Sequence, residues 1–254
     1  MVYPSPPSNI TMTTYFIADL HLHEARPAVT RAFYQFLQEQ VCAAEALYIL
    51  GDFFDAWIGD DDDRPLGIEV AQALHDVSTQ GTEIFLMHGN RDFLLGENFA
   101  ARAGATLVKE PLVVDLYGCP TLLLHGDSLC LDDHEYQAFR RQVRSPQWQQ
   151  QVLAQPLSVR RALAEKIRAE SQSMNALKAE DIMDVNDEEV RRVMRAAGVT
   201  RLIHGHTHRP ARHAFMLESQ PAERVVLGDW HNYGWCIKAD GQELTLKNWP
   251  IPTA

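Results

Sequence analysis

Six times along this chain a short apolar run of strand type ends in a small residue and then in polar side chains able to hold a metal ion. The runs are YFIADLH from Tyr15, LYILGDFFD from Leu47, IFLMHGNRD from Ile84, TLLLHGD from Thr121, RLIHGHTH from Arg201 and RVVLGDWH from Arg224. Continuous apolar runs suit strands buried on both faces, as in a mostly parallel sheet covered by other layers. Between them, residues 28–42, 66–80 and 96–103 read as helices. The pattern predicts a layered α/β fold. In open α/β sheets, sites form just beyond the carboxyl ends of the strands, where these polar groups would converge.

A chain of 254 residues can bury one sizeable core, with room for an insertion. No stretch approaches the roughly 20 apolar residues of a membrane span. The opening MVYPSPPSNITMTT has neither a basic start nor an apolar stretch of signal-peptide type. Residues 1–13 are expected to be a loose tail, with Met12 an alternative start, and residues 14–254 the folded domain. Cys42, Cys119, Cys130 and Cys236 lack metal-type spacing and are expected to be buried thiols of a cytosolic protein. A net charge of -11 argues against a general nucleic-acid binder, which gains affinity by neutralising phosphates.

The groups collected at the strand ends are the carboxylates of Asp19 and Asp52, the amide of Asn90 and the imidazoles of His21, His125, His206 and His208. Oxygen and imidazole donors without thiolate suit Mn, Fe or Zn in an open site. In DLH and in HTH the two donors stand two residues apart, so at an extended strand end they point to one side. Seven donors exceed the need of one catalytic ion and suit two ions bridged by a carboxylate. His204 lies on the apolar side of Gly205 and reads as a structural neighbour. His23, His75, His134 and His213 have no motif around them, and His231 in GDWHNYG is a candidate to support the ligands.

The ordered series D-x-H (Asp19, His21), G-D-x-x-D (Gly51, Asp52, Asp55), G-N-x-D (Gly89, Asn90, Asp92), His125 and G-H-x-H (Gly205, His206, His208) resembles the calcineurin-like metallophosphoesterases. Within that superfamily, FIADLHL, LYILGDFFDAWIGDD, HGNRDFLLG, IMDVN and LIHGHTHRP look like the branch that hydrolyses UDP-2,3-diacylglucosamine in the lipid A pathway of Gram-negative bacteria. The resemblance implies an α/β four-layer sandwich, two β-sheets flanked by helices, with a helical cap inserted at about residues 130–185. It implies two manganese ions, one held by Asp19, His21, Asp52 and His208, the other by Asp52, Asn90, His125 and His206. It also implies attack on the α-phosphorus to give UMP and the lipid monosaccharide 1-phosphate, with Asn90, Arg91 and His206 at the reacting group. Localisation would be peripheral, on the cytoplasmic side of the inner membrane.

Many superfamily members carry histidine where this chain has Arg91 in GNRD. A histidine can protonate a leaving alkoxide, whereas an arginine keeps its proton and instead clamps phosphate oxygens. That suits a leaving group that is itself a phosphate monoester, with a second pKa of about 6.

From residue 136 to 178, apolar residues recur at helical intervals, with Pro146 and Pro156 as breakers. The stretch carries eight basic residues (Arg140, Arg141, Arg144, Arg160, Arg161, Lys166, Arg168, Lys178) against Glu165 and Glu170. It reads either as a basic lid over a lipid substrate, in contact with an anionic membrane surface, or as a helical hairpin with a solvated basic face. Ser171, Asn175 and Lys178 share one helix face and could grip a sugar and phosphate. The resemblance assigns these three and Asp133 to the substrate. The tract Asp60 to Asp63 reads as a solvated loop rather than a calcium site. A lipid-free nucleotide-sugar hydrolase and a non-catalytic scaffold are competing readings, and the full donor set argues against the scaffold.

Overall fold

A computed structural model describes residues 11–175 and 184–252. In one sheet β1 (Thr11–Ile17), β2 (Ala44–Leu50), β3 (Glu83–Met87) and β4 (Thr106–Val108) run parallel. The antiparallel strands β10 (Tyr233–Asp240) and β11 (Leu244–Pro250) extend it beyond β1. The other sheet contains β5 (Leu112–Leu116), β6 (Cys119–Leu123), β7 (Arg201–His204), β8 (Ala211–Leu217) and β9 (Gln220–Val226), in the order β5-β6-β7-β9-β8. Its centre, β6, β7 and β9, is parallel.

Alternation along each strand divides the core into layers. Phe16, Leu50 and Met87 of the first sheet meet Leu123, Ile203 and Val225 of the second. The opposite faces carry Ile17, Leu47, Ile49, Ile84 and Leu86 towards α1 (Pro27–Phe36), α2 (Pro65–Ser78) and α3 (Glu97–Arg102). Leu122 and Leu202 face α7 (Asp187–Ala197) through Val190 and Met194. Helices, sheet, sheet and helix make the four-layer sandwich, and burial on both faces explains why the runs are apolar at every position. β1 begins at Thr11, inside the expected tail, because Thr13 and Thr14 are buried and pair with Asp240 and Ala239. Residues 1–10 of that tail lie outside the described residues. Cys130 and Cys236 are buried thiols, as expected, whereas Cys42 and Cys119 are only half-buried.

The insertion forms α4 (His134–Val143), α5 (Pro146–Leu153) and α6 (Leu157–Asn175). Asp133 caps α4 by accepting from the Tyr136 N–H, and Ser145 caps α5 with Pro146 at its first position. Val143, Val152, Phe139, Trp148 and Leu163 pack on the first sheet's outer core.

Most arginines of the cap point inward. Arg160 pairs with Asp61 and donates to the Ile58 carbonyl at 2.6 Å, while Arg161 reaches Asp62 and Asp63. Arg168 pairs with Asp55, and Arg140 with Asp127 and Glu110. Arg140, Arg160, Arg161 and Arg168 are thus paired with carboxylates outside the cap, whereas Arg141 and Lys166 remain exposed. The tetra-aspartate is a solvated loop only in part, since Asp61 and Asp63 are exposed while Asp60 and Asp62 are held against the core. Asp60 accepts from Trp57, Gly96 and Phe99, and Asp62 is 9% exposed. Composition revealed both charge runs without revealing that they meet.

Burial by itself would raise Asp62, but hydrogen bonds from Arg64 and Arg161 outweigh it and hold the carboxyl below its usual value. A carboxylate depressed in this way stabilises the folded contact fully above its unfolded pKa of about 3.9, and the contribution fades as pH falls through the lower folded value. Hydrogen exchange along α6 should therefore quicken below about pH 4 relative to the sheets. Equal protection of α6 and the sheets from pH 6 to pH 3 would contradict this role for the clasp.

Candidate active site

The donors come from the carboxyl ends of both sheets: Asp19 and His21 follow β1, Asp52 follows β2, Asn90 follows β3, His125 follows β6, and His206 and His208 follow β7. The turns that carry them are extremely tight. A Cβ on Gly89 would lie 2.1 Å from the Asp52 amide nitrogen, and one on Gly205 would lie 2.3 Å from Asp19 Oδ2. Asp19, His21, Asp52, His206 and His208 all hold positive φ, between 48° and 69°. Such backbone is costly for a non-glycine residue and persists where surrounding structure imposes it, commonly at functional sites.

All seven side chains come together. Donor atoms of Asp19, His21 and His208 lie within 4.8 Å of one another, as do those of Asp19, Asp52 and His125. Asp52 reaches both ways, Oδ2 to His21 Nδ1 at 3.8 Å and Oδ1 to His125 Nε2 at 3.6 Å. The Asn90 Oδ1 faces His125 Nε2 at 3.0 Å and His206 Nδ1 at 2.9 Å. His125 Nδ1–H donates to the Leu50 carbonyl at 2.8 Å, which directs its Nε2 into the cluster.

The electrostatics suit a bound cation. Burial, opposed by His125 and reinforced by Asp92 and Asp19, pushes the Asp52 carboxyl up to about 7. Burial would also raise Asp19, but His208, with Nε2 3.4 Å from Oδ1, and the other surrounding imidazoles hold it below the carboxylate range. His125, which burial alone would lower, is pushed up to about 9 by Asp52 and Asp19. Protons are thus held between carboxylates and imidazoles, where a metal ion competes with them. Asp19 Oδ1 and His21 Nδ1 are buried without a hydrogen-bond partner. Orphaned donor atoms, mixed oxygen and nitrogen chemistry and imposed backbone all fit divalent ions.

Supporting contacts surround the donors. Asp92 accepts from the Gly89 N–H at 2.7 Å and the Phe53 N–H at 2.7 Å, tying the Gly89 turn to the turn that follows β2. The Trp230 N–H donates to the Asp19 carbonyl at 3.0 Å, whereas its neighbour His231 is exposed. His204 is buried, donates from Nδ1 to the Gly205 carbonyl and accepts from Arg224, which accounts for it as a structural residue.

Above the cluster opens a cleft of about 280 Å³ lined by Arg91, Asp133, Tyr136, Ser171, Thr207 and Arg209 besides His21, Asp52, Asn90, His206 and His208. Asn90 and Arg91 also line a second, narrow cavity of about 60 Å³, walled by Trp57, Phe93, Trp148, Val152, Leu163 and Ile167 between α5, α6 and the core. Of the expected substrate residues, Asp133 and Ser171 border the cleft, Asn175 ends α6, and Lys178 lies outside the described residues. Tyr136 and Asp127 had not been singled out. Asp127 stands in the HGD run two residues after His125, and Tyr136 one helical turn beyond Asp133, so proximity in the motif was the available signal.

The sequence profile of the calcineurin-like phosphoesterases matches residues 12–210. A Cellvibrio japonicus protein named UDP-2,3-diacylglucosamine hydrolase is 62% identical over 94% of this chain and 100% of its own length. Proteins of the same name from Pseudomonas aeruginosa and Marinobacter nauticus are 54% and 53% identical, each over 94% of this chain and 100% and 99% of their own.

Proposed function

This chain belongs to the calcineurin-like phosphoesterase family, and from that premise we propose that it is a metal-dependent hydrolase of lipid A biosynthesis. It splits the pyrophosphate bond of UDP-2,3-diacylglucosamine into UMP and 2,3-diacylglucosamine 1-phosphate. The observation that carries this reading is the meeting of a polar cleft and an apolar cavity at Asn90 and Arg91. A phosphoanhydride between a nucleoside and a diacylated sugar needs both environments, with the reacting phosphorus at their junction.

Asp19, His21, Asp52 and His208 would hold one Mn2+, and Asp52, Asn90, His125 and His206 the other, with Asp52 shared. When bound, the ions supply Lewis acidity for water activation and for polarising the phosphoryl oxygen. Asn90 and His206 position the reacting group, and the Arg91 guanidinium neutralises charge gathering on the phosphoryl oxygens. The departing lipid 1-phosphate needs no general acid, because its second pKa is about 6. Asp133, Ser171, Asn175 and Lys178 grip the polar head, while the acyl chains occupy the apolar cavity.

The protein works at the cytoplasmic face of the inner membrane as a peripheral protein. Among the described residues no helix is long and apolar enough to cross a membrane. Leu153 and Val159, 42% and 48% exposed, flank the turn between α5 and α6 beside the apolar cavity. With most cap arginines paired internally, such apolar contact outweighs charge in meeting the lipid surface.

Phosphorus NMR of products from UDP-2,3-diacylglucosamine, with Mn2+ restored to metal-free protein, tests the reaction: resonances of UMP and a sugar 1-phosphate are expected, and UDP with free sugar would rule it out. Arg91→Ala should lower turnover by about 100-fold or more, as for removal of an electrostatic stabiliser, with metal content unchanged. Arg91→His should not restore it. Full activity in either variant would make Arg91 incidental to the chemistry.

A further inference from the structure

Asp127 is fully buried and lies outside the donor set. Its Oδ2 accepts from the Tyr136 hydroxyl at 2.5 Å and from Arg140 Nε at 2.8 Å, with Arg144 at 3.8 Å. Its Oδ1 is buried without a hydrogen-bond partner. A charge buried so incompletely paired contributes little to stability compared with an apolar replacement, so its worth lies in what it holds in place.

Two paths lead from it to the donors. The Tyr136 ring, anchored through its hydroxyl, stacks at 6.0 Å and 30° on the imidazole of His206. Arg140 reaches on to Glu110 at 2.5 Å, and Glu110 accepts from the backbone N–H of His125 at 2.9 Å. Gln137 donates to the carbonyls of Asp127 and Cys130. One face of α4 therefore grips the Asp127 turn, and the same carboxylate braces the His206 imidazole through Tyr136 and the His125 backbone through Arg140 and Glu110, the two residues whose rings face Asn90 Oδ1. Asp19, His21 and His208 have no such brace from this network.

We propose that Asp127 is a positioning residue that couples the docking of α4 to the geometry of the Asn90, His125 and His206 side of the centre. It touches no reacting atom, and it acts by fixing the His206 ring and the backbone that presents His125, whose aim decides how well one ion is held. This rests on the two-ion reading above.

The test is Mn2+ titration of metal-free protein by calorimetry, with no substrate present, so that contacts of Tyr136 in the cleft do not enter. Wild-type protein should take two ions. In Asp127→Asn one dissociation constant should rise by about 10- to 100-fold, the usual cost of losing an outer partner of a ligand, while the other is unchanged. Turnover should recover at saturating Mn2+. Tyr136→Phe, which removes only the anchoring hydroxyl, should weaken the same ion, and the double variant should lose no more than Asp127→Asn alone. Unchanged constants in Asp127→Asn, or losses that simply add, would overturn the proposal. Should Asp127→Asn fail to fold, Tyr136→Phe and Arg140→Gln carry the test, and wild-type constants in both would overturn it. Wild-type protein binding a single ion would instead strike down the two-ion reading.

Discussion

Asp52→Ala protein should lose about 1000-fold or more in turnover, because several kcal/mol of charge stabilisation depend on both ions and each 1.4 kcal/mol is a factor of ten. The argument is geometric. Asp52 is the donor whose two oxygens face opposite sides, towards His21 and towards His125. Its Oδ1 also accepts from the Arg91 N–H at 2.8 Å, so the loop presenting the guanidinium is fixed by the same carboxylate. His21→Ala, by contrast, should empty one side only. Metal content by mass spectrometry, measured beside turnover, separates the two. Two ions retained by Asp52→Ala at wild-type occupancy would show that the carboxylate does not bridge.

Val152→Asp and Leu163→Asp should each lower hydrolysis of the acylated substrate by about 100-fold, close to 2.8 kcal/mol, while sparing slow, metal-dependent hydrolysis of a small chromogenic phosphodiester. Both side chains wall the apolar cavity shared with Arg91. Each methylene of an acyl chain buried there is worth roughly 0.8 kcal/mol, and a carboxylate on the wall must be desolvated when the chain enters. The ratio of the two activities distinguishes a lipid-binding wall from fold damage, which lowers both. Equal loss on both substrates, in variants shown by circular dichroism to be folded, would remove the lipid from beneath the cap.

The layered architecture and the gathering of seven polar side chains at the strand ends were readable because each depends on local pattern: a strand buried on both faces must be apolar throughout, and its polar residues then begin where the strand ends. The antiparallel edges, β8, β10 and β11, carry weaker patterns, with half-exposed or glycine-interrupted residues, and did not stand out. The direction of the cap's charge was not readable either. Arg160 and Asp61 are 99 residues apart, and nothing in either run says that one is folded against the other. For the same reason Asp127 passed unnoticed, since a buried carboxylate and an exposed one look alike until Tyr136 and Arg140 are placed beside it. Asn90, His125 and Arg91 were legible by motif, but the joining of two unlike cavities at Asn90 and Arg91 is a property of packing.

The left-handed backbone at Asp19, His21, Asp52, His206 and His208 limits which amino acids a designer could place there. Outside glycine, that region is populated chiefly by asparagine, aspartate and histidine, and β-branched or bulky residues avoid it. The peptide chain thus enforces a small alphabet at five of the seven positions before any ion selects among donors. Exchanges within that alphabet would retune ion preference at little conformational cost. Threonine or valine at the same positions would disturb the turn itself, so a saturation library of this centre is far smaller in practice than its codon count suggests.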